Sequence, residues 1–122
     1  MSKKRGSLFH IFKACEYSFN GIKSAFQSEV AFRQDITICI ILFVLTIFLP
    51  ITLTHKTLMI MSLFTIILAE LINTAIETVV DRISTEIHPL SKKAKDIGSA
   101  LVFLSFLQMI IVFLTGFYLA IF

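Results

Sequence analysis

The sequence predicts an all-α integral membrane protein, with three transmembrane helices preceded by an amphipathic helix on the membrane surface. Three observations lead there. Hydrophobic residues make up 57% of the 122 positions, and the mean hydropathy is +0.89, which places the chain in the membrane class. Residues 36–54, 57–76 and 97–122 are free of charge except for Glu70, and each is long enough to cross about 30 Å of hydrocarbon as a helix. Every Lys and Arg except Lys56 lies before the first of these stretches or between the second and third. By the positive-inside rule the N-terminus and second connection are then cytoplasmic, and the C-terminus lies on the opposite side.

The surface helix is expected over about residues 7–30, where Leu8, Ile11, Phe12, Cys15, Phe19, Ile22, Phe26 and Val30 recur at helical spacing and Lys13, Glu16, Tyr17, Asn20, Lys23 and Gln27 fall on other sides. Such a helix lies in the interface or packs on the bundle, and the two are compatible. A cleaved signal is rejected, because the segment is amphipathic and lacks a small-residue cleavage pattern. The spans are expected over about 34–52, 56–84 and 92–120, all within one unit of residues 1–122. Cys15 and Cys39 read as packing residues rather than a disulfide. No nucleic-acid partner is expected.

Glu70 is the informative departure from this apolar pattern, since an ionisable group at membrane depth marks a functional site. Asn73, Glu77 and Asp81 follow it at intervals of three and four, so all four share one helical face. That polar face needs shielding from lipid, and self-association would supply it. Glu70 lies roughly 20 Å along the axis from Thr57 and Glu77 roughly 10 Å further, so the stripe runs from the cytoplasmic third of the bilayer to the interface. A carboxylate partly withdrawn from water suits a general base, and the better hydrated Glu77 suits a divalent cation. Asp81 is as readily explained by pairing with Arg82 or a loop lysine.

The connection that follows carries Arg82, Glu86, His88, Pro89 and Ser91, then Lys92, Lys93, Lys95 and Asp96. Ser91 is a plausible N-cap, which starts the last helix near Lys92, and a helix N-terminus bearing lysines attracts phosphate. Lys92 and Lys93 are equally well explained as topology determinants. Lys95 and Ser99 share a face, and His88 alone is more often structural. A base, acidic metal ligands and a phosphate-attracting loop at a membrane interface suit phosphoryl transfer to a lipid hydroxyl. No glycine-rich phosphate loop and no His-Arg-Asp is present, so a different architecture from the soluble kinases is required.

The runs Glu29 to Asp35, Glu70 to Ile83, Glu86 to His88, Leu90-Ser91 and Ala94 to Ala100 closely resemble the bacterial integral-membrane diacylglycerol kinase family, over nearly the whole chain. The resemblance implies an ATP-dependent enzyme that converts diacylglycerol to phosphatidate with Mg2+. It further implies a homotrimeric bundle in the bacterial inner membrane, with cytoplasmic active sites shared between protomers. Carried over by position, Glu70 resembles the general base and Glu29 and Glu77 the magnesium ligands that also meet ATP. His10, Tyr17, Glu86, His88, Lys95 and Asp96 resemble the remaining nucleotide contacts. Ala31, Arg33, Asp35, Asn73 and Ser99, with Glu70, resemble the lipid-headgroup region.

The chain departs from the family pattern in two respects. His10 stands where relatives often carry an arginine, and a mostly neutral imidazole is a weaker phosphate partner. Trp is absent, and Phe19 and Phe26 fill places where interface aromatics are common. The alternatives are an undecaprenol kinase with the same catalytic core, or a small proton-coupled transporter. The transporter leaves Glu29, Glu77, Lys95 and Asp96 without a role.

Overall fold

The computed structural model describes residues 6–122; Lys3, Lys4 and Arg5, counted among the topology-setting charges, lie outside the described residues. Four helices follow one another: α1 (Ser7–Ser28), α2 (Val30–Phe48), α3 (Leu53–Ile83) and α4 (Pro89–Ile121), with no strand among the described residues. α2, α3 and α4 are long and apolar enough to cross a membrane. At about 1.5 Å per residue, the 31 residues of α3 and the 33 of α4 exceed a hydrocarbon core of about 30 Å, so their ends project beyond it.

α3 is the centre of the protomer. It packs along α4 and, less extensively, α2, while α1 touches only α2 and α3. The core is built on it: Met59, Leu63 and Ile66 of α3 meet Cys39 of α2 and Phe113 of α4. Gly116 permits the close α3–α4 approach at the end remote from the polar stripe, because a Cβ there would press against Met59 and His55. His55 Nε2 lies 3.2 Å from the Val112 carbonyl and adds a polar link to the same crossing. The short α2–α3 turn is held by Lys56, whose ammonium donates to the Ile47 carbonyl at 2.6 Å.

Several boundaries differ from the sequence expectation: α2 runs over 30–48 rather than about 34–52, and α3 starts at Leu53 rather than near 56. The surface helix, expected to about residue 30, ends at Ser28, where Glu29 takes an extended conformation (φ −116°, ψ 113°) before α2 begins. Neither Gly nor Pro marks this break. It is stabilised from a distance, since the Arg33 guanidinium reaches back to donate to the carbonyls of Phe26 at 2.6 Å and Gln27 at 3.1 Å. A side chain one turn into the next helix thus satisfies carbonyls that the end of α1 leaves open. The last helix begins at Pro89, not near Lys92, and its cap is His88 rather than Ser91. The His88 Nδ1 accepts from the Leu90 N–H at 3.1 Å, and proline at the first helical position has its φ already set for the helix.

Candidate active site

Glu70 is buried, 6% exposed, on the inner face of α3. Asp35, in the second turn of α2, stands within side-chain hydrogen-bonding reach of it. Glu29 at the α1–α2 break and Glu77 two turns along α3 are close enough to act on Glu70 electrostatically. Three elements therefore deliver four carboxyl groups to one neighbourhood. Glu70 needs helix packing around it because a carboxyl facing lipid would have no hydrogen-bonding partner.

Asn73 stands between Glu70 and Glu77 on this face. Its Nδ2 donates to Glu77 Oε1 at 3.4 Å, a long bond, and its Oδ1 is buried without a partner. Gly98 of α4 lies directly against it: a Cβ at Gly98 would collide with the Asn73 Oδ1. The absence of a side chain at Gly98 thus sets how closely α4 approaches the carboxyl cluster.

A second region forms where α3 ends and α4 begins. A hollow of about 300 Å³ there gathers Asp81, Glu86, His88, Lys92, Lys95 and Asp96. Glu86, His88, Lys95 and Asp96 are four of the residues expected to meet the nucleotide. Lys95 is paired with Asp81 at 2.8 Å across the two helices, and Lys92 with Asp96 at 2.7 Å along α4. All four side chains are well exposed, so these pairs are exchangeable with a phosphate. Glu77 lies within electrostatic reach of both Glu70 and Lys95, and so stands between the carboxyl cluster and the hollow.

The prokaryotic diacylglycerol kinase family matches residues 16–117. The chain belongs to this family. It is 48% identical over 102 residues to a diacylglycerol kinase of Haemophilus influenzae, an alignment that covers 84% of this chain and 86% of that protein. Against the diacylglycerol kinase of Pseudomonas aeruginosa the identity is 41% over 103 residues, with 84% of each chain covered. The Escherichia coli protein of the same name is 36% identical over 111 residues, 91% of each chain.

Within this diacylglycerol kinase fold the expected site residues fall into three groups. Glu29, Asp35, Glu70, Asn73 and Glu77 come together at the α2–α3 face. Glu86, His88, Lys95 and Asp96 line the hollow. His10 and Tyr17 are exposed on α1, which packs on α2 and α3 but not on α4, and neither lines the hollow. His10 lies edge-on to Phe9, ring centroids 6.0 Å apart. Ala31 and Ser99 are exposed; Ala31 is in the first turn of α2, and Ser99 follows Gly98 on α4. Arg33 is half-buried, its guanidinium engaged on the α1 carbonyls.

Sequence reasoning did not find the Asp35–Glu70 approach, the Arg33 clamp or the fit of Gly98 against Asn73. The first two join groups on different helices or on both sides of a break with no local signal. The third had one, since a glycine following Lys95 and Asp96 in a membrane helix marks a close approach.

Proposed function

We propose that this chain is an ATP-dependent kinase of the cytoplasmic membrane interface that phosphorylates the free hydroxyl of diacylglycerol, giving phosphatidate. The observation that carries the reading is Glu70, buried among Asp35, Glu29 and Glu77 with a lysine-bearing hollow beyond Glu77. Glu70 accepts the proton of the lipid hydroxyl as its oxygen attacks the γ-phosphorus of ATP. The new phosphorus–oxygen bond forms while the bond to ADP breaks. Asp35 and Asn73 hold Glu70 and Glu77 in register, and Ala31, Arg33 and Ser99 border the headgroup. Lys95 exchanges Asp81 for phosphate, while Glu86, His88 and Asp96 shape the nucleotide side of the hollow.

Mg2+ fits these residues. No group of three metal-ligating side chains is found among the described residues, and Mg2+ asks for no such cage: one or two carboxylates with substrate phosphates and water suffice. Glu29 and Glu77, on different elements but both near Glu70, would hold it. When bound it supplies charge neutralisation to the phosphates.

The protein acts as one kinase domain in the bacterial inner membrane, with the N-terminus and active site cytoplasmic and the C-terminus opposite. α1 lies along the surface, with Leu8, Phe12 and Phe19 entering the lipid; these three are 70%, 72% and 68% exposed in the protomer. A homotrimer shields the polar stripe of α3 and lets His10 and Tyr17 serve the hollow of a neighbouring copy, which the separation of α1 from α4 favours. The test is phosphorylation of diacylglycerol and undecaprenol side by side in mixed micelles, with and without Mg2+. Preferential, Mg2+-dependent phosphatidate formation is expected. Preference for undecaprenol would replace the lipid substrate, and no transfer to either lipid by the folded oligomer would overturn the kinase reading.

A further inference from the structure

We infer that Lys92 is a further nucleotide-binding residue, whose ammonium leaves Asp96 for a phosphate of ATP and thereby frees Asp96 for hydrogen-bond donors on the same nucleotide. This role rests on the kinase reading above, which left Lys92 without a part in the reaction.

The charges around the hollow at the α3–α4 junction require a second cation. Three carboxylates, Asp81, Glu86 and Asp96, line it together with two ammoniums, Lys92 and Lys95. His88 adds no positive charge while its Nδ1 accepts from the Leu90 N–H at 3.1 Å. Lys95 is matched to Asp81 at 2.8 Å and Lys92 to Asp96 at 2.7 Å, so two of the three acids are balanced within the chain. A triphosphate entering this hollow is repelled by the carboxylates, and a divalent cation neutralises only part of its charge. Lys95 alone would leave the rest unmatched. Lys92 is the other ammonium in reach.

Its place on α4 suits the exchange. At about 100° per residue, Lys92 lies roughly 60° around the helix from Lys95 and roughly 40° from Asp96, on the arc between them. Helical side chains lean toward the N-terminus, so both lysines extend toward the end of α4 that projects from the membrane, where a water-soluble nucleotide arrives. The Lys92 side chain is 73% exposed and that of Asp96 63%, and an exposed pair one turn apart holds its partners weakly. A phosphate oxygen offers the same ammonium a charge-assisted bond in return. Once released, Asp96 can accept from amine or hydroxyl groups of the nucleotide, which a lysine-bound carboxylate oxygen serves less well. Lys93 supplies the contrast: it borders a neighbouring hollow with Lys92 and Asp96 but does not line this one.

The test follows acetylation of each lysine of the whole chain by mass spectrometry in neutral detergent micelles, alone, with MgATP, and with phosphatidylglycerol added in place of MgATP. MgATP is expected to slow acetylation of Lys92 severalfold, half-maximally near the KM for ATP, and to leave Lys93 unchanged. In the lipid kinase assay Lys92→Met is expected to raise the KM for ATP about tenfold with kcat within about threefold, while Lys92→Arg, which keeps the charge, stays within about threefold of the parent. Lys93→Met is expected to leave the KM unchanged. Equal acetylation of Lys92 with and without MgATP overturns the inference, as does a KM unmoved by Lys92→Met or raised as far by Lys93→Met. Shielding by phosphatidylglycerol but not by MgATP would make Lys92 a membrane-surface contact and overturn it too. An active parent whose Lys92 is not shielded by MgATP overturns this inference alone, whereas shielding in a parent that phosphorylates no lipid overturns only the functional reading.

Discussion

Gly98→Ala places one methyl group where α4 lies against Asn73, beside the carboxyl cluster. The added Cβ would collide with Asn73 Oδ1 and lie 3.3 Å from its Cγ and 3.5 Å from Ile76 Cδ1. Asn73 must swing away, or α4 must shift. Overpacking of this kind costs about 1–3 kcal/mol, and the lower end is expected here because the first atom struck is the end of a side chain. Swinging Asn73 also breaks its 3.4 Å bond to Glu77. If roughly 1.4 kcal/mol of positioning is lost in the transition state, turnover falls about tenfold. The assay pairs thermal unfolding in micelles with initial rates of lipid phosphorylation, in the parent and in an Asn73→Ala background. With Asn73 truncated the methyl has space, so Gly98→Ala then costs less than about 0.5 kcal/mol further. Equal costs in the two backgrounds would refute the contact as the cause.

Other substitutions probe the remaining parts. Arg33→Ala frees the last carbonyls of α1 and loosens the Glu29 break; a loss of about 1–3 kcal/mol in stability is expected, with faster amide exchange at the end of α1, and unchanged exchange there would show that the clamp is dispensable. Glu77→Gln is expected to raise the Mg2+ concentration for half-maximal activity and the KM for ATP together; a fall in kcat with both unchanged would remove Glu77 from the metal. On the proposed nucleotide role of His10, His10→Arg adds a permanent cation and is expected to lower the KM for ATP by roughly two- to fivefold, whereas an unchanged value would place His10 away from the nucleotide.

The membrane class and three spans were legible because they depend on sums over long stretches: no local rule has to be right for a charge-free run to be apolar. Glu70 was legible for the converse reason, as the exception in such a run. What the residues could not show was pairing between helices. Asp35 stands at the edge of the first charge-free stretch with nothing local to name its partner, yet α2 carries it to Glu70. Arg33 reads as a topology-setting cation, while its guanidinium spans the α1–α2 break. Asp81 was balanced between a site role and a loop lysine, and the protomer pairs it with Lys95. The start of α4 was misplaced because Ser91 is the commoner capping residue, whereas His88 followed by proline provides both cap and preset dihedral.

Transfer of labelled phosphate from ATP to diacylglycerol by Glu70→Gln, in the same micelles and at the same protein concentration as the parent, bears most directly on the central claim. Glutamine keeps the shape and hydrogen-bonding capacity of the side chain but cannot accept the proton, so activity is expected to fall by about 10²–10⁴-fold with oligomer size unchanged. Turnover within a few-fold of the parent from a correctly assembled variant would contradict Glu70 as the base.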